Sequence, residues 1–142
     1  MKNNILKLFL IIFINNFIYF SAYCVEQFNF DVTEIEILNN GNTIKGIKKG
    51  KVKTDNGITV IANTFVYDKL SNILNAKGNV EIIDSNKNIS IYSNNATYFK
   101  NKNILNAKGN VEIIDSNNSI TVYSNNTTYY KNEEKVVTKG KT

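Results

Sequence analysis

The stretch Asn72-Ile73-Leu74-Asn75-Ala76-Lys77-Gly78-Asn79-Val80-Glu81-Ile82-Ile83-Asp84-Ser85-Asn86 recurs without a change as Asn103 to Asn117. The whole unit Asn72 to Lys102 is written almost a second time from Asn103 to Glu133, and Gly78, Gly109 and Gly140 extend the same interval of 31 residues. Repetition at a fixed period marks one supersecondary unit that buries its apolar face by stacking on its neighbours. A weaker copy comes first. Its Lys49-Gly50-Lys51-Val52 corresponds to Lys77-Gly78-Asn79-Val80, and its Ile58-Thr59-Val60 to Ile120-Thr121-Val122; Tyr67, Tyr98 and Tyr129 then fall at equivalent places. The last copy reaches only Gly140-Lys141-Thr142. We therefore expect the first part of a longer protein, cut inside a repeat; a degenerate terminal cap is the alternative.

Within the unit, Leu105, Ala107, Gly109, Val111 and Ile113 alternate with Asn106, Lys108, Asn110 and Glu112. A period of two is the signature of a half-buried strand. Leu74, Ala76, Gly78, Val80 and Ile82 repeat the arrangement one unit earlier. A glycine in the middle of an apolar strand face marks a bend or a close approach, so each long strand is expected to bend there. A turn from Asp84 to Asn88 should lead to a strand with Ile89 and Ile91 inward, then to a separate strand centred on Tyr98, with Asn101-Lys102-Asn103 turning into the next unit. Asn40-Gly41 and Asn56-Gly57 have the composition of type I′ hairpin turns. Phe28, Phe30 and Val32 alternate on one parity and Ile35 and Ile37 on the other, which requires a break or bulge near Thr33-Glu34. Ten to twelve short strands and no long helix are expected. The fold class is all-β: a repeat-built β-jellyroll of two facing antiparallel sheets with open ends, whose strand edges invite pairing with another chain.

Residues 1–24 form a separate unit, with Lys2 ahead of an apolar run from Ile5 to Phe20 and the small residues Ala22 and Cys24 placed for a signal peptidase. It reads as a secretory signal cleaved after Cys24, leaving one domain, 25–142. A retained anchor and a lipoprotein signal acylated at Cys24 are the alternatives, the second disfavoured by the bulk of Tyr23. Cleavage would leave no cysteine, as suits a bacterial envelope protein held by a sheet core. All 17 basic residues are lysine, and Arg, His, Pro and Trp are absent. With its abundant asparagine, that bias reflects AT-rich coding and weakens any functional reading of the net charge of +5. The charge is not the concentrated stripe of a nucleic-acid binder.

Without histidine or a mature cysteine there is no imidazole or thiolate system for nucleophilic catalysis or metal binding. Adjacent carboxylates such as Glu133-Glu134 point apart in a loop, so no enzyme, metal or cofactor is expected. The inward candidates are Val52, Val60, Phe65, Tyr67, Leu74, Val80, Ile82, Ile91, Tyr98, Leu105, Val111, Ile113, Val122 and Tyr129. From the residues alone they suit a closed core as well as an apolar groove. The densest basic run, Lys45, Lys48, Lys49, Lys51 and Lys53, reads as solvated strand and turn lysines, with contact to lipid phosphates as the sharper alternative.

The unit apolar-x-Ala-x-Gly-Asn-Val-x-Ile-x-Asp, followed by an apolar strand and Tyr, resembles the OstA-like (LptA/LptD N-terminal) domain of Gram-negative lipopolysaccharide transport. The residues that carry the likeness are Leu74 to Ile82, Leu105 to Ile113 and the half-repeat Ile58 to Asp68. The resemblance implies a twisted β-jellyroll, open at both ends, whose interior holds lipopolysaccharide acyl chains in the periplasm. It also implies joining to other OstA-like modules by β-strand addition, and an outer-membrane barrel if the full-length protein is LptD-like. It makes the inward residues groove candidates for lipid. An LptA-like carrier and the N-terminal part of an LptD-like assembly protein both fit; Phe99 and Tyr130, where the half-repeat has Asp68, depart from the pattern. A structural or adhesive β-repeat protein without a ligand is the reading from another class.

Overall fold

The computed structural model describes residues 28–140. The expected secretory signal, its Cys24 and the start of the mature domain at residue 25 lie outside the described residues. Eleven strands follow one another: β1 Asn29–Val32, β2 Ile35–Leu38, β3 Thr43–Gly46, β4 Gly50–Lys53, β5 Ile58–Ala62, β6 Thr64–Asp68, β7 Ile73–Asp84, β8 Ile89–Phe99, β9 Ile104–Asp115, β10 Ile120–Tyr130 and β11 Lys135–Lys139. Three single 3-10 turns complete the described elements, and no α-helix is among them.

The two facing layers are parts of one continuous antiparallel sheet, because each long strand belongs to both. The first half of β7 pairs with β6 and its second half with β5. From there the sheet divides into two leaves. One continues β6-β3-β2 and the other β5-β4-β1. At the bend of β7 the ladder to β8 shifts by one residue between Lys77 and Val80. Gly78 and Asn79 sit there with φ of 79° and 47°; Gly109 and Asn110 repeat this at 81° and 48°. A side chain at Gly109 would also be crowded: a Cβ would stand 2.8 Å from Asn94 Nδ2. The bulge adds one residue on one strand, which bends the strand without reversing its inward parity. Leu74, Ala76, Val80 and Ile82 are therefore all buried while Asn75 and Lys77 are exposed, as the alternation requires.

Cross-strand register assembles the inward residues into two rows. Across the first leaf run Ile44, Tyr67, Leu74, Tyr98, Leu105, Tyr129 and Val136, with the exposed Ile37 in register at the outer edge of the row. Across the second run Phe30, Val52, Val60, Ile82, Ile91, Ile113 and Val122. The middle of the first row alternates tyrosine with leucine, a packing in which broad rings fill the space beside branched side chains.

Three local expectations are corrected. The strand with Ile89 and Ile91 and the strand centred on Tyr98 are one 11-residue strand, β8. The polar run Ser93-Asn94-Asn95 stays extended, and Ser93 is buried with its Oγ donating to the Asn95 carbonyl at 3.1 Å. Both Asn-Gly pairs do make hairpins, but not two-residue type I′ turns. Four residues, Asn39 to Asn42, separate Leu38 from its partner Thr43. Asn56-Gly57 lies in a loop closed by Thr54, whose N–H donates to the Ile58 carbonyl at 2.9 Å and whose Oγ1 accepts the Ile58 N–H at 3.1 Å. Only Gly57 of that pair has positive φ, 86°. The break near Thr33-Glu34 stands as expected, between β1 and β2.

Candidate functional site

The interior between the leaves is lined mainly by apolar side chains and is tightly filled. Thirteen of the fourteen expected residues are no more than 6% exposed: Val52, Val60, Phe65, Tyr67, Leu74, Val80, Ile82, Ile91, Tyr98, Leu105, Val111, Ile113 and Tyr129. Val122 is half-buried and packs against the same cluster. Phe28, Ile58, Ile89 and Ala96 also belong to the core. Ile58 and Ile89 are one period apart, so the repeat itself carried the signal that places Ile58.

The two ends differ. At the start of the stack, Phe28 lies edge-on to Tyr67, with ring centroids 4.5 Å apart, and to Tyr98 at 6.1 Å, with Lys100 Nζ 4.9 Å from its own centroid. This aromatic cluster plugs the interior. At the other end β11 pairs only with Asn126 to Tyr130, so among the described residues Ile120 to Ser124 have no strand on their outer side. Beside that bare edge opens an apolar cavity of about 210 Å³, lined by Ile89, Ile113, Ile120, Val122 and Val136, with Asp115 and Glu134 at its polar rim. An apolar cavity of about 150 Å³ is enough to take up benzene.

Opposite the bends, the free ends of the leaves meet along a seam. Asn56 of the second leaf donates through Nδ2 to Tyr98 Oη at 3.0 Å and Asn103 Oδ1 at 2.8 Å on the first leaf, while Tyr98 itself donates to Asn103 at 2.9 Å. One repeat on, Asp84 takes over: its Oδ2 accepts from Tyr129 Oη at 3.0 Å and from Lys131 Nζ at 2.9 Å. Lys87 and Glu134 form an ion pair beside it. Asp84 is 1% exposed, and a buried carboxylate needs such donors to be tolerated. Burial first, then the bond to Asp84, pushes the Tyr129 phenol well above its ordinary value. In the next copy Asp115 makes no such bridge. Its Oδ1 accepts the main-chain N–H groups of Asn117 and Asn118 and its Oδ2 the Asn118 side-chain amide; the Asn118 side chain first, then these main-chain bonds, hold its carboxyl below the usual carboxylate range.

The basic run of the weak first copy is largely neutralised. Lys45, Lys48 and Lys51 pair with Glu36, Glu34 and Asp31. Among the described residues no three His, Cys, Asp or Glu side chains gather into a metal-binding group.

No family model and no curated protein matches the sequence. The backbone does match a solved structure, that of LptH from Pseudomonas aeruginosa, described as the LptA-homologous periplasmic component of the conserved lipopolysaccharide transport device. The TM-score is 0.70 over 80% of this chain and 82% of that one, at 13% identity. The chain has the LptA-like fold. Its bent antiparallel sheet is thus a fold shared with a solved structure of very different sequence. At this identity the LptA-like likeness concerns the fold and not the individual side chains.

Proposed function

We propose that this chain is a non-catalytic lipid-transport module of the periplasm. Its interior takes lipopolysaccharide acyl chains, and its bare edges pair by β-strand addition with other OstA-like modules on the way to the outer membrane. The observation that carries the reading is an apolar interior running the length of a repeat-built jellyroll and opening at its last edge as the cavity of Ile113, Ile120, Val122 and Val136. An acyl chain would be held by the hydrophobic effect alone, about 0.8 kcal/mol per methylene removed from water, so no dedicated polar site is required. The groove residues are the inward set from Val52 to Tyr129, reached by a ligand once the leaves part or the end opens. The sequence of residues 1–24, which has the composition of a secretory signal, supports the location. Continuation of the chain into an outer-membrane barrel would make it the N-terminal part of an LptD-like protein; without one it would be an LptA-like carrier.

The near-complete burial of the thirteen inward residues favours a second reading, a structural β-repeat protein with a solid core. Photo-crosslinking separates the two. A photoreactive residue is placed in turn at Ile82, Ile91 and Ile113, with outward Glu112 as control, and the purified protein is incubated with lipopolysaccharide. Crosslinks at the inward sites and not at Glu112 are expected. A folded sample without inward crosslinks would refute the lipid-carrier reading and leave the solid core.

A further inference from the structure

The seam is built unlike the rest of the interior wall. Every other neighbouring pair of strands is joined by a main-chain ladder, whereas among the described residues the seam is crossed by side chains alone: Phe28, then Asn56, then Asp84 with Lys87. Opposite it, the bends of β7, β8 and β10 lie where the ladders shift register, at Lys77/Val80, Tyr92/Asn95 and Ser124/Asn126. Interrupted ladders on one side and removable side-chain bridges on the other make a hinge and a closure. The strongest bridge is the buried one. Asp84 exchanges no main-chain bond with the first leaf, yet it collects two donors from it, a phenol and an ammonium whose side chain is 10% exposed.

We propose that the seam is the gate to the interior and that Asp84, held by Tyr129 and Lys131, is its latch. Breaking the latch lets the leaves swing about the bends and exposes the interior sideways, with the strand ladders intact. As a way in for a lipid this rests on the carrier reading above; as a motion of the protein it does not. The copy of the same aspartate one repeat later, Asp115, bonds within its own turn and has no part in the closure, so two identical side chains have different work.

The test uses the full chain with its sole cysteine removed, Cys24→Ser, and no lipid. A reporter thiol is introduced at Ile91→Cys, towards the seam, or at Ala96→Cys, beside the bend; both sites are buried. Maleimide labelling rates are compared in four backgrounds: the Cys24→Ser parent, Asp84→Asn, Tyr129→Phe and Asp115→Asn. Losing a hydrogen bond to a charged group should raise the seam labelling roughly tenfold or more in Asp84→Asn, and by a smaller factor in Tyr129→Phe, which keeps the ion pair and guards against a misfolded aspartate variant. The bend thiol and the Asp115→Asn background should not change. A parallel rise at both thiols would mean global unfolding, and no rise at the seam would mean a permanently closed wall; either result overturns the latch. Because no lipid is present, these outcomes are independent of the crosslinking result.

Discussion

Gly109→Ala probes the bend through two separable costs. At φ of 81° an alanine loses about 1–2 kcal/mol relative to glycine for the clash of its Cβ with the backbone. That Cβ would also lie 2.8 Å from Asn94 Nδ2 and 3.2 Å from its Cβ, and pushing an exposed asparagine aside costs about 1 kcal/mol, the low end of overpacking. The expected loss is thus about 2–3 kcal/mol, a large share of the ~5–15 kcal/mol that holds a domain of this size. Gly41→Ala isolates the first cost, since its φ is 89° and nothing lies within 4 Å of the added methyl; it should lose only about 1–2 kcal/mol. Asn94→Ala in the Gly109→Ala background should recover about 1 kcal/mol by removing the amide. Urea denaturation followed by circular dichroism suits a chain without tryptophan. A Gly109→Ala protein as stable as wild type, or an Asn94→Ala that restores nothing, would refute the account of the bend as a glycine lodged under an asparagine.

Val111→Ala removes two buried methyl groups beside that bend and should cost about 2–3 kcal/mol in the same denaturation, transfer and cavity terms together; a loss below about 0.5 kcal/mol would mean that the interior collapses freely. The Tyr129 phenol has its folded pKa raised, so the folded state keeps that proton longer than the unfolded chain does. Its stabilising contribution is therefore complete below about pH 10 and is lost as pH rises beyond it. Ultraviolet titration should show the Tyr129 phenolate forming after those of exposed tyrosines, and earlier in Asp84→Asn than in wild type. Asp68 and Asp115 have lowered folded pKa values, from side-chain and main-chain hydrogen bonds of Ser71 and of Asn118. Their contribution is present at neutral pH and lost as pH falls below about 4, so Asp115→Ala should flatten the acid limb of a melting-temperature profile.

Much of this was legible in the repeat. Identical twelve-residue strands with glycine in mid-face specified the inward parity of Leu74, Val80, Leu105 and Val111, and the bend at Gly78 and Gly109. The continuity of β8 was not legible, because Ser93-Asn94-Asn95 has the composition of a turn and its buried serine is satisfied by a carbonyl two residues on. Nor was the seam. Asp84 and Asp115 sit in identical sequence, and what buries the first is a partner 47 positions away, Lys131, for which Asp115 has no counterpart among the described residues. Whether Lys45, Lys48 and Lys51 present free charge likewise depended on β1, β2 and the break between them bringing acids beside them.

The sameness of β7 and β9 has a consequence for how the chain reaches this structure. Both strands read Ile-Leu-Asn-Ala-Lys-Gly-Asn-Val-Glu-Ile-Ile-Asp, and β8 lies between them in matching register, Leu74 and Leu105 both facing Tyr98. To a collapsing chain, β10 therefore has two templates of equal local quality, one of which leaves an entire unit looped out, and the choice between them is made only by what packs later. The same equivalence holds between molecules, where β9 of one can seat against β10 of another with every ladder bond preserved. Fidelity of assembly thus rests on the dissimilar first copy, whose Phe28 plug and shortened turn give the stack a single place to begin.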